Sequence, residues 1–73
     1  MENSATITDA QVVMPSGYGQ ARVEVKTEDH DAFEVLFSYY HDELSFYPTE
    51  FIGLSVSDGH DLFTRKDIAY LRS

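Results

Sequence analysis

An α+β fold, a small antiparallel β-meander of three to four strands packed against a C-terminal helical segment, is predicted by three features of the sequence. Residues 20–27 alternate apolar and polar with the period of a half-buried strand, and the run 15–19, Pro-Ser-Gly-Tyr-Gly, is a turn signal that separates them from a second β-prone run. The third feature is Ser55, placed as an N-cap with Asp58 three residues on, ahead of apolar residues that continue to the C-terminal end. At 73 residues the chain is one domain, 1–73, whose small core buries about 60–65% of the surface exposed on unfolding.

Residues 1–4 carry no pattern and read as a frayed terminus. The run 5–14 is a strand with Ile7, Val12 and Val13 as core contacts, and Gly17 and Gly19 supply the freedom that a tight reversal requires. In residues 20–27, Ala21, Val23 and Val25 point to the core while Arg22, Glu24 and Lys26 point to water. Residues 28–31 are the next reversal. Periodicity leaves 32–40 open: a strand would align Phe33, Val35, Phe37 and Tyr39, and a helix Phe33, Leu36, Phe37 and Tyr40. The density of Phe, Val and Tyr favours the strand.

His41-Asp42-Glu43 reads as a turn into a brief edge strand, 44–47, which Pro48 ends; a single helical turn closed by Gly53 follows. A helix starts at Val56, with Asp58 and Asp61 early and Arg65 and Lys66 late, as the helix dipole favours. Gly59 weakens it, and the apolar stripe shifts after Phe63, so a kink or two short helices are expected before Arg72, with Asp67 capping the last turn. The expected core is Ile7, Val13, Val23, Val25, Phe33, Val35, Phe37, Phe51, Leu54, Leu62, Phe63, Ile68 and Leu71.

Charge is the strongest compositional signal. The net charge is −8, and residues 27–64 hold nine acids, all three histidines and all five phenylalanines without one Lys or Arg. Nucleic acid and anionic membrane both need clustered cations, so neither is expected as a direct partner, whereas a basic protein surface is. The competing explanation is that the acidity only keeps the protein dispersed. There is no cysteine, hence no disulfide and no Cys-based zinc site; no signal-peptide pattern or long apolar span is present, and a cytoplasmic location is expected.

Catalysis finds little support. Each histidine precedes an aspartate (His30-Asp31, His41-Asp42, His60-Asp61), a pairing that can bind metal, but each pair lies in or beside a predicted turn, where Asp is common for its bonds to backbone. Nucleophile elbow and phosphate loop are both lacking. No catalytic, cofactor-binding or metal-binding residue is therefore assigned.

The residues assigned to partner binding are Glu28, Asp29, Asp31, Tyr39, Tyr40, Asp42, Glu43, Asp58 and Asp61. Acids two apart on a strand share a face about 6–7 Å apart, and a row of them offers a basic groove what a phosphate backbone offers. Tyrosine combines large contact area with low ordering cost, and Tyr18 and Tyr47, in or next to loops, could join the pair at 39 and 40. In size and charge, though in no motif, the chain is similar to small acidic phage and plasmid proteins that inhibit nucleic-acid enzymes, including some anti-CRISPR and anti-restriction proteins. The expected function is a non-catalytic binding protein that occupies a basic site on a partner, such as a nucleic-acid-binding enzyme, and inhibits it by mimicry. The alternative is a structural or assembly subunit that self-associates, as a homodimer for instance, through its aromatic surface.

Overall fold

A computed structural model describes residues 4–72; of the expected frayed terminus, residues 1–3 lie outside the described part. The elements are β1 (Ile7–Val13), β2 (Ala21–Thr27), β3 (His30–Tyr39), a 3₁₀ turn (Pro48–Glu50) and α1 (Val56–Arg72). The strands form an antiparallel meander in the order β1-β2-β3, so the α+β class holds, and residues 32–39 belong to a strand as their composition favours.

Both edge strands carry a bulge, and these irregularities decide which side chains reach the core. On β1, Ile7 pairs with Thr27 but Asp9 pairs with Lys26, so Thr8 is an extra residue and Ile7, Ala10 and Val12 share the inner face. Val13, expected in the core, stands opposite Arg22 on the outer face instead. On β3, Val23 pairs with Phe37 and Glu24 with Val35, which makes Leu36 the extra residue. Leu36, Phe37 and Tyr39 turn inward, while Phe33 and Val35 turn outward, where Lys26 Nζ lies 4.8 Å from the Phe33 ring centroid. Strict alternation over 33–39 fails because the extra residue exchanges the two faces, and a second irregularity lies between the Val25–Glu34 and Thr27–His30 pairs.

The β2 expectation holds without correction, since Ala21, Val23 and Val25 are all buried. On its outer face Glu24 accepts hydrogen bonds from Arg22 Nε at 2.8 Å and Gln11 Nε2 at 2.6 Å, and these hold its carboxyl below the ordinary pKa. The outer face is thus tied by one polar pair along β2 and one across β1 and β2.

Inside, Phe37 is the hub of an aromatic cluster with ring centroids 4.7 Å from Phe63, 5.0 Å from Phe46 and 5.9 Å from Phe51. Phe46 arrives there from irregular chain, because 44–47 do not form the expected edge strand. The Leu44 and Glu43 N–H groups both donate to Tyr40 O, a turn that lifts the chain off the sheet edge. Lys66 Nζ then donates to Ser45 O at 2.7 Å, and to the Glu50 carboxylate at 2.8–2.9 Å. Tyr47 N–H donates to Glu50 Oε1 and Glu50 N–H to Tyr47 O, which closes the 3₁₀ turn. Gly53, at φ +92°, ends the turn as expected. The chain then runs along the β1 edge, with Ile7 N–H donating to Leu54 O and Gly53 N–H to Ile7 O.

Ser55 Oγ accepts from Asp58 N–H at 3.0 Å, the predicted N-cap. From there α1 is one continuous helix rather than two, with Asp67 inside it. Val56 and Gly59 are buried and Leu62 and Phe63 pack on the core. Because the helix runs on unbroken at about 3.6 residues per turn, Ile68 and Leu71, expected in the core, turn away from the inward stripe of Val56, Gly59, Leu62 and Phe63 and are exposed. Among the described residues no helix is long and apolar enough to cross a membrane.

Candidate functional site

A three-stranded meander places the β1–β2 turn and the end of β3 at the same end of the sheet, and here the Ala21–Tyr39 pair fixes that neighbourhood. Gly19 adopts φ +139°, a conformation that disfavours any side chain, and the Gly17-Tyr18-Gly19 tip stands away from the sheet. After Tyr39 the strand stops, and Tyr40, His41 and Asp42 bend around the same end. Together these six residues line an open cleft of about 550 Å³, within the size range of ligand sites.

Tyr18 is fully exposed and Tyr40 55% exposed. Among the described residues no ring contact joins the two, so the cleft between them is open. A second hollow of about 210 Å³ shares Tyr40 and is lined by Gln20, Ser38, Tyr39, Glu43, Leu44, Phe63 and Asp67. The pair of hollows therefore combines tyrosine faces with the carboxylates of Asp42, Glu43 and Asp67, and neither lining includes a Lys or Arg.

The structure divides the sequence-predicted site residues among four places. Tyr40, Asp42 and Glu43 meet at the cleft. Tyr39, only 2% exposed, is a core residue whose ring lies 4.8 Å from Phe46, and burial pushes its hydroxyl pKa up. Of the adjacent tyrosines, one therefore faces the core and the other faces out. Glu28, Asp29 and Asp31 lie at the other end of β3, about 30 Å away for a ten-residue strand. Glu28 N–H donates there to Thr6 O, tying the turn to the chain just before β1, and Asp29 Oδ1 accepts from Thr27 Oγ1 at 2.6 Å within the β2–β3 turn. Asp58 and Asp61 are on the early turns of α1, beside a shallow hollow shared with Thr64 and Arg65. Tyr47 is exposed but lines neither of the hollows at the cleft.

Sequence reasoning missed His41, Gln20, Ser38, Leu44, Phe63 and Asp67 as lining residues, and it placed Tyr18 in the first turn, able to join Tyr39 and Tyr40, without assigning it to the site. The signal for Tyr18 was in the predicted topology itself, since a meander must bring its first turn beside the end of its third strand. The three His-Asp pairs do not converge. His30 Nε2 lies 2.9 Å from Glu34 Oε1 on β3, His41 is in the cleft, and His60 is on α1 near Phe37. Among the described residues no group of three or more His, Cys, Asp or Glu is placed to hold a metal ion.

No known protein family matches the chain, and no curated protein or solved structure matches it either.

Proposed function

We propose that this protein is a non-catalytic binding protein that engages a basic site on a partner protein, of the kind that otherwise holds nucleic acid. The observation that carries the reading is the cleft: Tyr18 and Tyr40 with Asp42, continued by Glu43 and Asp67, and no Lys or Arg in the lining. Exposed tyrosines supply contact area at low ordering cost, and the net charge of −8 steers a basic partner toward the chain. The acids at the far end of β3 add to this field and need not touch the partner. On this reading the chain acts by occupancy and displaces nucleic acid from the partner's site.

Affinity capture from the native host with the whole chain as bait, eluted by a salt gradient, tests the proposal. The expected result is a protein with a basic surface that is lost with the Tyr40→Ala, Asp42→Asn, Glu43→Gln variant and that releases bound nucleic acid when the chain is added. Retention of the chain's own copies alone would instead favour an assembly subunit. That second reading has its own observation: Ile68 and Leu71, one helical turn apart at the exposed end of α1.

A further inference from the structure

We infer that the cleft between Tyr18 and Tyr40 is a seat for a single arginine side chain of the partner, with Asp42 as its counter-charge. The inference rests on the basic-partner reading and specifies its anchor. The fold already contains one complete cation seat of the same composition: Lys66 Nζ lies 4.4 Å from the centroid of Phe46 and 2.8 Å from the Glu50 carboxylate. An aromatic face and a carboxylate together hold that cation. The cleft offers the same pair of groups, Tyr18 and Tyr40 as faces and Asp42 as carboxylate, and no Lys or Arg is in its lining.

The chain's own cations are committed or distant. Arg22 pairs with Glu24, Lys26 covers Phe33, Lys66 is held by Glu50, Arg65 Nε donates to Asp61 O within α1, and Arg72, the fifth, lines neither hollow. The occupant therefore comes from outside the fold. Arginine suits it better than lysine, because a planar guanidinium stacks on tyrosine faces and still presents paired N–H donors to one carboxylate. Lysine offers a point charge to one ring at a time. The second hollow, reached across Tyr40 and bearing Glu43 and Asp67, receives the residues that flank the arginine. Tyr18 sits on a glycine-flanked tip and so can close on the guanidinium without disturbing the sheet.

The test uses the full chain, followed by amide chemical shifts, and four probes: a short Gly/Ser peptide with one arginine, its lysine and citrulline analogues, and octalysine. The expected result is that the arginine peptide shifts residues 17–19 and 40–42 and binds roughly tenfold more tightly than the neutral citrulline analogue, as a desolvated cation–aromatic contact implies. It should also bind more tightly than the lysine analogue. Tyr18→Ala and Asp42→Asn, both at exposed positions, should each weaken arginine binding several-fold and change octalysine binding less. Equal binding of the arginine and citrulline peptides, or shifts confined to Glu28, Asp29 and Asp31, would overturn the arginine seat. If octalysine still binds in that case, the basic-partner reading survives; if octalysine does not bind either, both fall.

Discussion

A Cβ atom placed on Gly59 would lie 2.9 Å from Leu36 Cδ2 and 3.4 Å from Ile7 Cδ1. The approach of α1 to the sheet is thus set by a missing side chain on the helix and the bulge residue of β3. Two opposing effects act at this position. Alanine would add about 1 kcal/mol of helix propensity, but overpacking a buried contact costs about 1–3 kcal/mol. Leu36 is itself buried, so its side chain has little room to yield, and the packing effect wins. Gly59→Ala should lower stability by about 1 kcal/mol in urea unfolding, and Gly59→Val by more. A rise in the urea midpoint would show that Leu36 moves aside freely.

The pair Lys66–Glu50 gives the fold an acid-sensitive clasp. Burial works upward on the Glu50 carboxyl, but hydrogen bonds from Lys66 and from Tyr47 N–H outweigh it and hold its pKa below the ordinary carboxylate value. A lowered folded pKa means that the stabilisation is fully present above the unfolded value, about 4.3, and is lost as pH falls through the folded one. Glu50→Gln should therefore cost stability at pH 7 and cost progressively less below about pH 4. Thermal melts of both proteins from neutral pH to about pH 3 would show the curves converging; parallel curves would mean that the clasp contributes nothing.

Tyr39 gives the opposite dependence at the alkaline end. Burial raises its hydroxyl pKa, so folding favours the neutral phenol, and the corresponding stability is present below the unfolded pKa of about 10 and is lost as pH rises through the folded value. Tyr39→Phe should flatten the fall in melting temperature above about pH 10. Tyr39→Ala should instead cost about 3–5 kcal/mol, as for a large buried aromatic, which makes it unsuitable as an interface probe. Tyr40→Ala, at an exposed position, should leave stability within about 0.5 kcal/mol.

Much of this architecture was legible in the residues. The alternation of β2, the Ser55 cap, the Gly53 stop and the acidic-to-basic order along α1 are local signals with local causes, and each appears in the structure. What was not legible depends on the register between strands. Nothing at Thr8 or Leu36 announces a bulge, yet these two residues send Val13, Phe33 and Val35 outward and bring Leu36 inward. The cleft was half legible: Tyr40, Asp42 and Glu43 were singled out for charge and aromatic surface, but Asp67 and Phe63 join them only because α1 packs across the sheet. The acids at 28–31 looked like part of one surface because they are near in sequence, and a ten-residue strand carries them to the opposite end.

Screening should stabilise the fold. Glu28, Asp29 and Asp31 crowd one end and Asp42, Glu43 and Asp67 the other, while Arg22 and Lys66 are each spent on one glutamate. Raising monovalent salt from about 0.01 to about 0.1 M shortens the Debye length from about 30 to about 10 Å, which damps repulsion among the acids. It also weakens the ion pairs, but exposed pairs contribute only about 0–1 kcal/mol each. The melting temperature should rise with sodium chloride, and less so for the Asp31→Asn, Asp42→Asn double variant. A falling melting temperature would mean that attraction outweighs repulsion in the native state.

The end of α1 separates binding from assembly. Leu71 is 73% exposed and Ile68 lies one turn before it, both turned away from the helix stripe that packs on the core. Neither side chain contributes to the core cluster, so Ile68→Gln with Leu71→Gln should leave the urea midpoint within about 0.5 kcal/mol of the parent, as for surface positions. The same double variant should leave arginine-peptide binding unchanged, because no residue after Asp67 lines either hollow of the cleft. If sedimentation shows the parent chain self-associating and the variant monomeric, these two residues form the seam between copies, and the cleft at the other side of Asp67 remains open for the partner. A variant that loses arginine binding while staying folded would instead tie the helix end to the cleft and redraw the boundary of the site.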